Sequence, residues 1–195
     1  MSSKSASTLN HYSNMSDKIP KLVVVGDGGV GKTSIIVRYT RDNFNEGYEP
    51  TLEDHYQTNI TCEDGSTLQL EIADTAGQED YKALRDKFMA EGDAFLVVYS
   101  IIDSRSLQMA DNLLEQISVL KENAPFKFVL CGNKCDMEAQ RQVPKTDGKN
   151  LADKYKGEFL ETSALSKTNI SEAFQTIGRM LKTKDVVDGG CCEIA

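Results

Sequence analysis

Gly26-Asp27-Gly28-Gly29-Val30-Gly31-Lys32-Thr33 follows the apolar run Leu22-Val23-Val24-Val25 and precedes a helix-like segment that begins near Lys32. Strand, glycine-rich turn and helix form the context in which the pattern G-x-x-x-x-G-K-[ST] carries meaning. The glycines let the backbone curl so that successive N–H groups face one anion. The following helix adds unpaired amide donors and the positive end of its dipole. Lys32 can then reach the outer phosphates of a nucleotide, and the Thr33 hydroxyl can ligate Mg²⁺. The stretch predicts a phosphate-binding loop.

Outward from this loop, short apolar runs alternate with helical patterns between Lys21 and Leu181. Strands are predicted over 22–25, 94–99, 126–131 and 158–162, and the unbroken apolar character of the first two suits strands buried on both faces of a parallel sheet. Leu107, Ala110, Leu114 and Ile117 recur at helical spacing after Asp103-Ser104, a capped start. Ile170, Ala173, Phe174, Ile177 and Leu181 do the same, with Asn169 and Glu172 spaced as a capping box. A shorter helix is predicted over 146–155. Tyr56, Thr58 and Ile60, then Leu68, Leu70 and Ile72, alternate in steps of two around Glu63-Asp64-Gly65-Ser66, which reads as a hairpin. The sum is an α/β fold of the P-loop NTPase type. It has three layers: a six-stranded, mostly parallel sheet with one antiparallel edge strand, and helices on both faces. In such folds ligands bind at the carboxyl ends of the strands, where residues 26–33 fall.

The 195 residues suit one domain, expected over 20–182. Residues 1–19, polar and without apolar periodicity, predict a disordered extension, and 183–195 a flexible tail. A net charge of −8 argues against a nucleic-acid partner, which ordinarily selects a basic surface. No run reaches the length of a transmembrane helix, and the first residues lack the apolar core of a secretory signal. Five scattered cysteines without zinc-ligand spacing predict a reducing, cytosolic setting, with Cys62, Cys131 and Cys135 as small buried or half-buried side chains.

Asn133-Lys134-Cys135-Asp136 follows directly on the strand over 126–131. A carboxylate at Asp136 can accept from guanine N1–H and its exocyclic amine, whereas adenine offers no hydrogen at N1 and leaves the acceptor unpaired. Thr162-Ser163-Ala164, after the last strand, can offer backbone N–H groups to the guanine oxygen. In Asp74-Thr75-Ala76-Gly77-Gln78, at the end of the third strand, Asp74 can hold Mg²⁺ through water. Gly77 permits close backbone approach to a terminal phosphate, and Gln78, donor and acceptor at once, suits orienting an attacking water.

Together these motifs, with Tyr48-Glu49-Pro50-Thr51 and Glu161-Thr162-Ser163-Ala164, resemble a Ras-family small GTPase from about Lys21 to Leu181 in order and spacing. The short loop after Asp136 resembles Ras and Rap rather than the Rho branch, and Gln78 resembles Ras. The resemblance implies a GTP hydrolase that cycles between GTP and GDP with Mg²⁺. It implies that Thr51 joins Thr33 on the metal and senses the γ-phosphate, and that Lys32, Thr51, Gly77 and Gln78 serve hydrolysis. The nucleotide site carries over to the whole loop from Gly26 to Thr33 and to Ser34. Phe44 packs edge-on against the guanine, Tyr48 joins the site, Lys134 lies along the base, and Asn133, Asp136, Ser163, Ala164 and Leu165 complete its surroundings. Effectors would meet Tyr48, Glu49, Pro50, Thr51, Leu52, Glu53, Asp54, His55 and Tyr56, an acidic edge that suits a basic Ras-binding-type domain.

From Asp42 through Tyr81 there is no Arg or Lys, so neither switch loop carries an arginine finger near the phosphate. Intrinsic hydrolysis is therefore expected to be slow, with the arginine supplied by a GTPase-activating protein; a guanine nucleotide exchange factor and a monomeric state are also expected. The chain ends Cys191-Cys192-Glu193-Ile194-Ala195, where Cys192 fits C-a-a-X prenylation and Cys191 can take palmitate as a second signal. Glu193 stands where an aliphatic residue is usual, and the upstream tail is not polybasic. The expectation is a lipid anchor on the cytoplasmic side of the plasma membrane, with a cytosolic pool. Two other readings use the same loop: a pseudo-GTPase that holds nucleotide and barely cycles, and a metabolic P-loop enzyme such as a nucleotide kinase. The presence of Thr33, Thr51, Asp74, Gly77 and Gln78 speaks against the first, and the guanine-type motif against the second.

Overall fold

Alternate residues of the first apolar run point into opposite layers. Leu22 and Val24 enter one cluster of buried side chains, and Val23 and Val25 enter the other. The computed structural model describes residues 18–44, 53–62, 65–75 and 82–183. The elements in chain order are β1 (Lys21–Gly26), α1 (Lys32–Arg41), β2 (Glu53–Thr61), β3 (Thr67–Thr75), α2 (Lys82–Glu91), β4 (Ala94–Ser100), α3 (Ser104–Leu120), β5 (Phe128–Asn133), α4 (Lys145–Lys154), β6 (Glu158–Glu161) and α5 (Ile170–Lys182).

The sheet runs in the order β2-β3-β1-β4-β5-β6. Every neighbouring pair is parallel except β2 with β3, so β2 is an antiparallel edge, as the sequence predicts. Ile35 and Ile36 of α1 and Ala173, Phe174 and Ile177 of α5 cover one face. Phe88 and Met89 of α2, Ala110, Leu113 and Leu114 of α3, and Leu151 and Ala152 of α4 cover the other. Seven consecutive buried residues in β4 mark it as a central strand with both faces covered. The hairpin closes through Cys62 N–H to Ser66 O at 2.8 Å and Gly65 N–H to Cys62 O at 2.9 Å, with Gly65 at φ +77°.

The structure corrects three details. β5 occupies 128–133 instead of 126–131, because pairing with β4 begins at Phe95 opposite Phe128 and continues to Ser100 opposite Asn133. Phe126 stays half-buried outside the ladder, its ring against Phe95 and Phe128. The Asn169–Glu172 capping box does not form: Asn169 is left-handed at φ +53°, and its side-chain amide donates to Glu161 O at 2.7 Å instead. The α2 helix has no counterpart in the sequence reading. By contrast, Asp103 caps α3 as predicted, its carboxylate accepting from Arg105 N–H at 3.0 Å. Cys62 and Cys131 are buried and Cys135 is half-buried, also as predicted. No helix among the described residues is long and apolar enough to cross a membrane.

Candidate functional site

Four parallel strands deliver the motif residues to one end of the sheet. β1 ends at Gly26, β3 carries Asp74 in its last turn of pairing, β5 ends at Asn133, and β6 runs into Thr162. Gly26 must be glycine because a Cβ there would stand 2.1 Å from Val98 O of β4. Gly31, at φ +97°, stands at the cap just before α1, and a Cβ on it would stand 2.4 Å from Asn133 Nδ2. Gly28 and Gly29 are exposed at the crest of the loop, and the Gly28 N–H donates to Asp27 Oδ1 at 2.7 Å.

Lys32 lies under this loop. Its ammonium donates to Gly26 O at 3.1 Å and Asp27 O at 2.8 Å, and the residue is 6% exposed. Burial pulls its pKa down to about 8, against the opposing pull of the Asp74 and Asp27 carboxylates. Next to it, the Thr33 hydroxyl donates to Asp74 Oδ2 at 2.6 Å. The other oxygen, Asp74 Oδ1, is buried with no hydrogen-bond partner among the described residues. Burial raises the Asp74 pKa to about 6, although the Thr33 hydrogen bond and Lys32 both pull it down. The phosphate end thus holds a buried cation and a buried carboxylate, each in a charge state that burial opposes and its neighbours only partly support.

The base end is built differently. Asn133 is 2% exposed; its amide donates to Val30 O at 2.8 Å and its Oδ1 accepts from Thr162 Oγ1 at 3.3 Å. Lys134, left-handed at φ +66°, donates to Gly29 O at 2.9 Å. Asn133 and Lys134 therefore fasten the phosphate loop from the side, a role the spacing of the motif does not announce. Asp136 is exposed and accepts from Ser163 Oγ, whose oxygen also accepts from Ser166 N–H at 3.0 Å. Among the described residues the second Asp136 oxygen has no donor, so one face of the carboxylate is left for a ligand's N–H groups. Main-chain bonds from Cys135 N–H to Thr162 O (3.0 Å) and Thr162 N–H to Gly132 O (2.9 Å) lock the two loops together. Arg141, absent from the sequence reading, braces them with a fork onto Glu161 at 2.6 and 3.2 Å while also pairing with Glu138.

Phe44 is half-buried against the core, and Leu165 is 52% exposed at the lip of the base end. Asp54 and His55 are exposed on the β2 edge. Tyr48, Glu49, Pro50, Thr51, Leu52, Gly77, Gln78, Cys191 and Cys192, and the side chain of Glu53, lie outside the described residues. Among the sequence-predicted residues within them, the structure brings together Lys32, Thr33 and Asp74 at one end and Asn133, Lys134, Asp136 and Ser163 at the other. A separate groove of about 650 Å³ between α2 and α3, lined by Arg85, Asp86, Asn112 and Val119 among others, contains none of the motif residues.

Comparison with known proteins matches this arrangement. The Ras family model covers residues 21–183. Ras-like protein 2 of Mucor circinelloides f. lusitanicus is 40% identical over 182 residues, 93% of this chain and 87% of that protein. Ras-like protein rasC of Dictyostelium discoideum is 43% identical over 166 residues, 85% of this chain and 87% of that one. The family match spans the whole sheet and both ends of the site, and the chain belongs to the Ras family of small GTPases, which bind and hydrolyse GTP.

Proposed function

We propose that the chain is a Ras-like switch that binds GDP or GTP with Mg²⁺, hydrolyses GTP slowly unaided, and engages effectors at a membrane while GTP is bound. The observation that carries this reading is the pair at the phosphate end: buried Lys32 folded onto loop carbonyls, beside Asp74, whose Oδ1 has no partner among the described residues. A phosphate chain gives Lys32 the anion it lacks, and a cation at Thr33 and Asp74 gives the carboxylate its counter-charge. The donor set of hydroxyl and carboxylate oxygens suits a hard divalent ion that keeps several waters. Thr33, Thr51 and, through water, Asp74 would hold Mg²⁺, which when bound neutralises charge on the outer phosphates.

The chain's own residues do the rest. Amides of the 26–33 loop and Lys32 hold the phosphate oxygens. Asp136, steadied by Ser163, accepts from guanine N1–H and the exocyclic amine; it is exposed by itself, so the penalty against adenine arises once a base covers it. Thr51 and Gly77 close on the γ-phosphate, and Gln78 orients the attacking water. Loss of the γ-phosphate removes those contacts, which is the differential free energy a switch needs. The absence of Arg and Lys over 42–81 leaves the transition-state charge to an arginine from a GTPase-activating protein.

Exchange would need a guanine nucleotide exchange factor. The exposed, acidic β2 edge supports strand addition by a basic effector domain. Prenylation at Cys192 and palmitoylation at Cys191 would anchor the chain to the plasma membrane. Purified chain is predicted to carry close to one GDP, to release it when Mg²⁺ is chelated, and to hydrolyse GTP slowly in single turnover until an arginine-bearing activating protein is added. An adenine nucleotide in its place, or fast unaided hydrolysis, would contradict the reading.

A further inference from the structure

We infer that Arg38 is a positioning residue that holds the base-contacting loop and Phe44 in register with the phosphate helix, and so sets the rate of nucleotide release. The inference rests on the guanine-nucleotide reading above and names a residue that neither the motifs nor that reading uses.

Arg38 lies one turn before the end of α1, where a long cationic side chain ordinarily reaches into water and serves the helix dipole. Its side chain is instead 16% exposed. Nε donates to Ala164 O at 2.7 Å and Nη2 to Leu165 O at 3.2 Å, across 126 and 127 residues of chain. Nη1 donates to Asp42 O at 3.3 Å, at the left-handed residue that ends α1. The guanidinium carbon also lies 5.6 Å from the centre of the Phe44 ring, within range of a cation–π contact. One planar group thus joins the phosphate helix, the loop after β6, and Phe44, the aromatic side chain that the guanine-nucleotide reading assigns to the base.

The geometry of the trans peptide gives this contact its consequence. C=O and N–H of one peptide unit point in opposite directions. Pinning the Ala164 carbonyl to Arg38 therefore turns the Leu165 N–H away from α1, fixing the direction of a donor in the loop assigned to the guanine oxygen. A second tie works beside it. The Asp42 carboxylate accepts from Lys167 of the same loop at 2.7 Å, which holds its pKa below the usual carboxylate value. The loop's internal bonds, Ser163 N–H to Thr168 O at 3.1 Å and Ser166 N–H to Ser163 Oγ at 3.0 Å, shape it but do not connect it to α1. Without Arg38 the Ala164–Leu165 part of the loop would be tied to the end of α1 only through the exposed Lys167–Asp42 pair, and the base would be held less firmly in register with the phosphates.

The test follows fluorescently labelled GDP leaving the full chain in Mg²⁺ with excess unlabelled GDP, for wild type, Arg38→Ala and Arg38→Lys. Loss of the two charged hydrogen bonds to the loop after β6 and of the ring contact predicts release about tenfold faster or more for Arg38→Ala. Arg38→Lys, which keeps the charge and loses the fork, is predicted to fall between the two. Single-turnover GTP hydrolysis should stay within about twofold of wild type, because bond cleavage happens at the other end of the nucleotide. Should Arg38→Ala fail to fold, Arg38→Lys carries the test through its own release rate. Release at the wild-type rate from a folded variant overturns the inference, and so does hydrolysis that falls in step with faster release, the mark of general loosening. A wild-type chain that retains no GDP refutes the underlying guanine reading instead, so the two failures are told apart.

Discussion

The two ends of the nucleotide site are built on opposite plans. At the base end the polar groups satisfy one another whether buried or not: buried Asn133 with Val30 and Thr162, exposed Asp136 with Ser163, half-buried Arg141 with Glu161. At the phosphate end burial holds Lys32 at a pKa of about 8 and Asp74 at about 6, and among the described residues Asp74 Oδ1 has no partner. A prebuilt base end can select its ligand without rearranging, whereas a phosphate end short of compensating charge gains most when phosphate and metal arrive. Specificity is stored in the first and ligand-dependent stability in the second.

Paired substitutions break or sharpen this contrast, and the largest effect is expected at Asn133. Asn133→Ala leaves Val30 O and the Thr162 hydroxyl without partners, so nucleotide-free chain should lose on the order of 2–4 kcal/mol, with GDP affinity falling roughly a hundredfold. Lys32→Met should cost comparable affinity but leave nucleotide-free stability unchanged or higher, since it removes a buried charge. The sign follows from linkage. A lysine whose folded pKa is depressed from 10.5 to about 8 costs the folded state its full penalty below pH 8, and the penalty fades as pH rises from 8 to 10.5. Denaturant unfolding at pH 7 reads both variants; equal losses of stability would erase the distinction between the ends.

A smaller effect is expected where the ends touch. Gly31→Ala places a methyl 2.4 Å from Asn133 Nδ2 at φ +97°, and should cost about 1–3 kcal/mol in unfolding free energy. Full stability in that variant would mean the two loops are not locked together. The smallest effect concerns pH. Asp74, with a folded pKa of about 6 against 3.8, costs the folded state its penalty above pH 6, and that cost is lost as pH falls towards 3.8. Mg²⁺ relieves the same penalty, so the rise in unfolding midpoint it gives the GDP-bound chain should shrink as pH drops through about 6. A rise independent of pH between 5 and 7.5 would remove Asp74 from the metal's surroundings.

Much of this architecture is legible in the chain because burial leaves a periodic trace. Leu22–Val25 and the residues of β4 are apolar without interruption because both faces are covered, and Tyr56, Ile60, Leu68, Leu70 and Ile72 recur in steps of two because they pack one face of the β2–β3 hairpin into a single cluster. The misses fall where no such trace exists. Arg85 is 5% exposed on α2, a charged residue at a core-facing position that interrupts the apolar pattern of that helix. Asn169 fits a capping box locally, but the Glu161 carbonyl takes its side chain, and a tertiary partner overrides the local rule. The phosphate loop is legible from its glycines. The bonds from Asn133 and Arg38 that steady the site are single side-chain contacts across more than a hundred residues, and sequence spacing carries no record of them.

The contrast between the two ends reduces to one titration. Nucleotide-free chain is titrated calorimetrically with Mg²⁺·GDP at pH 8.5 in two buffers of different ionisation enthalpy. If phosphate restores the charge of Lys32, whose pKa is about 8 in the ligand-free protein, binding should take up about half a proton or more. No uptake, or net release, would contradict the claim that the phosphate end is built short of the charge its ligand brings.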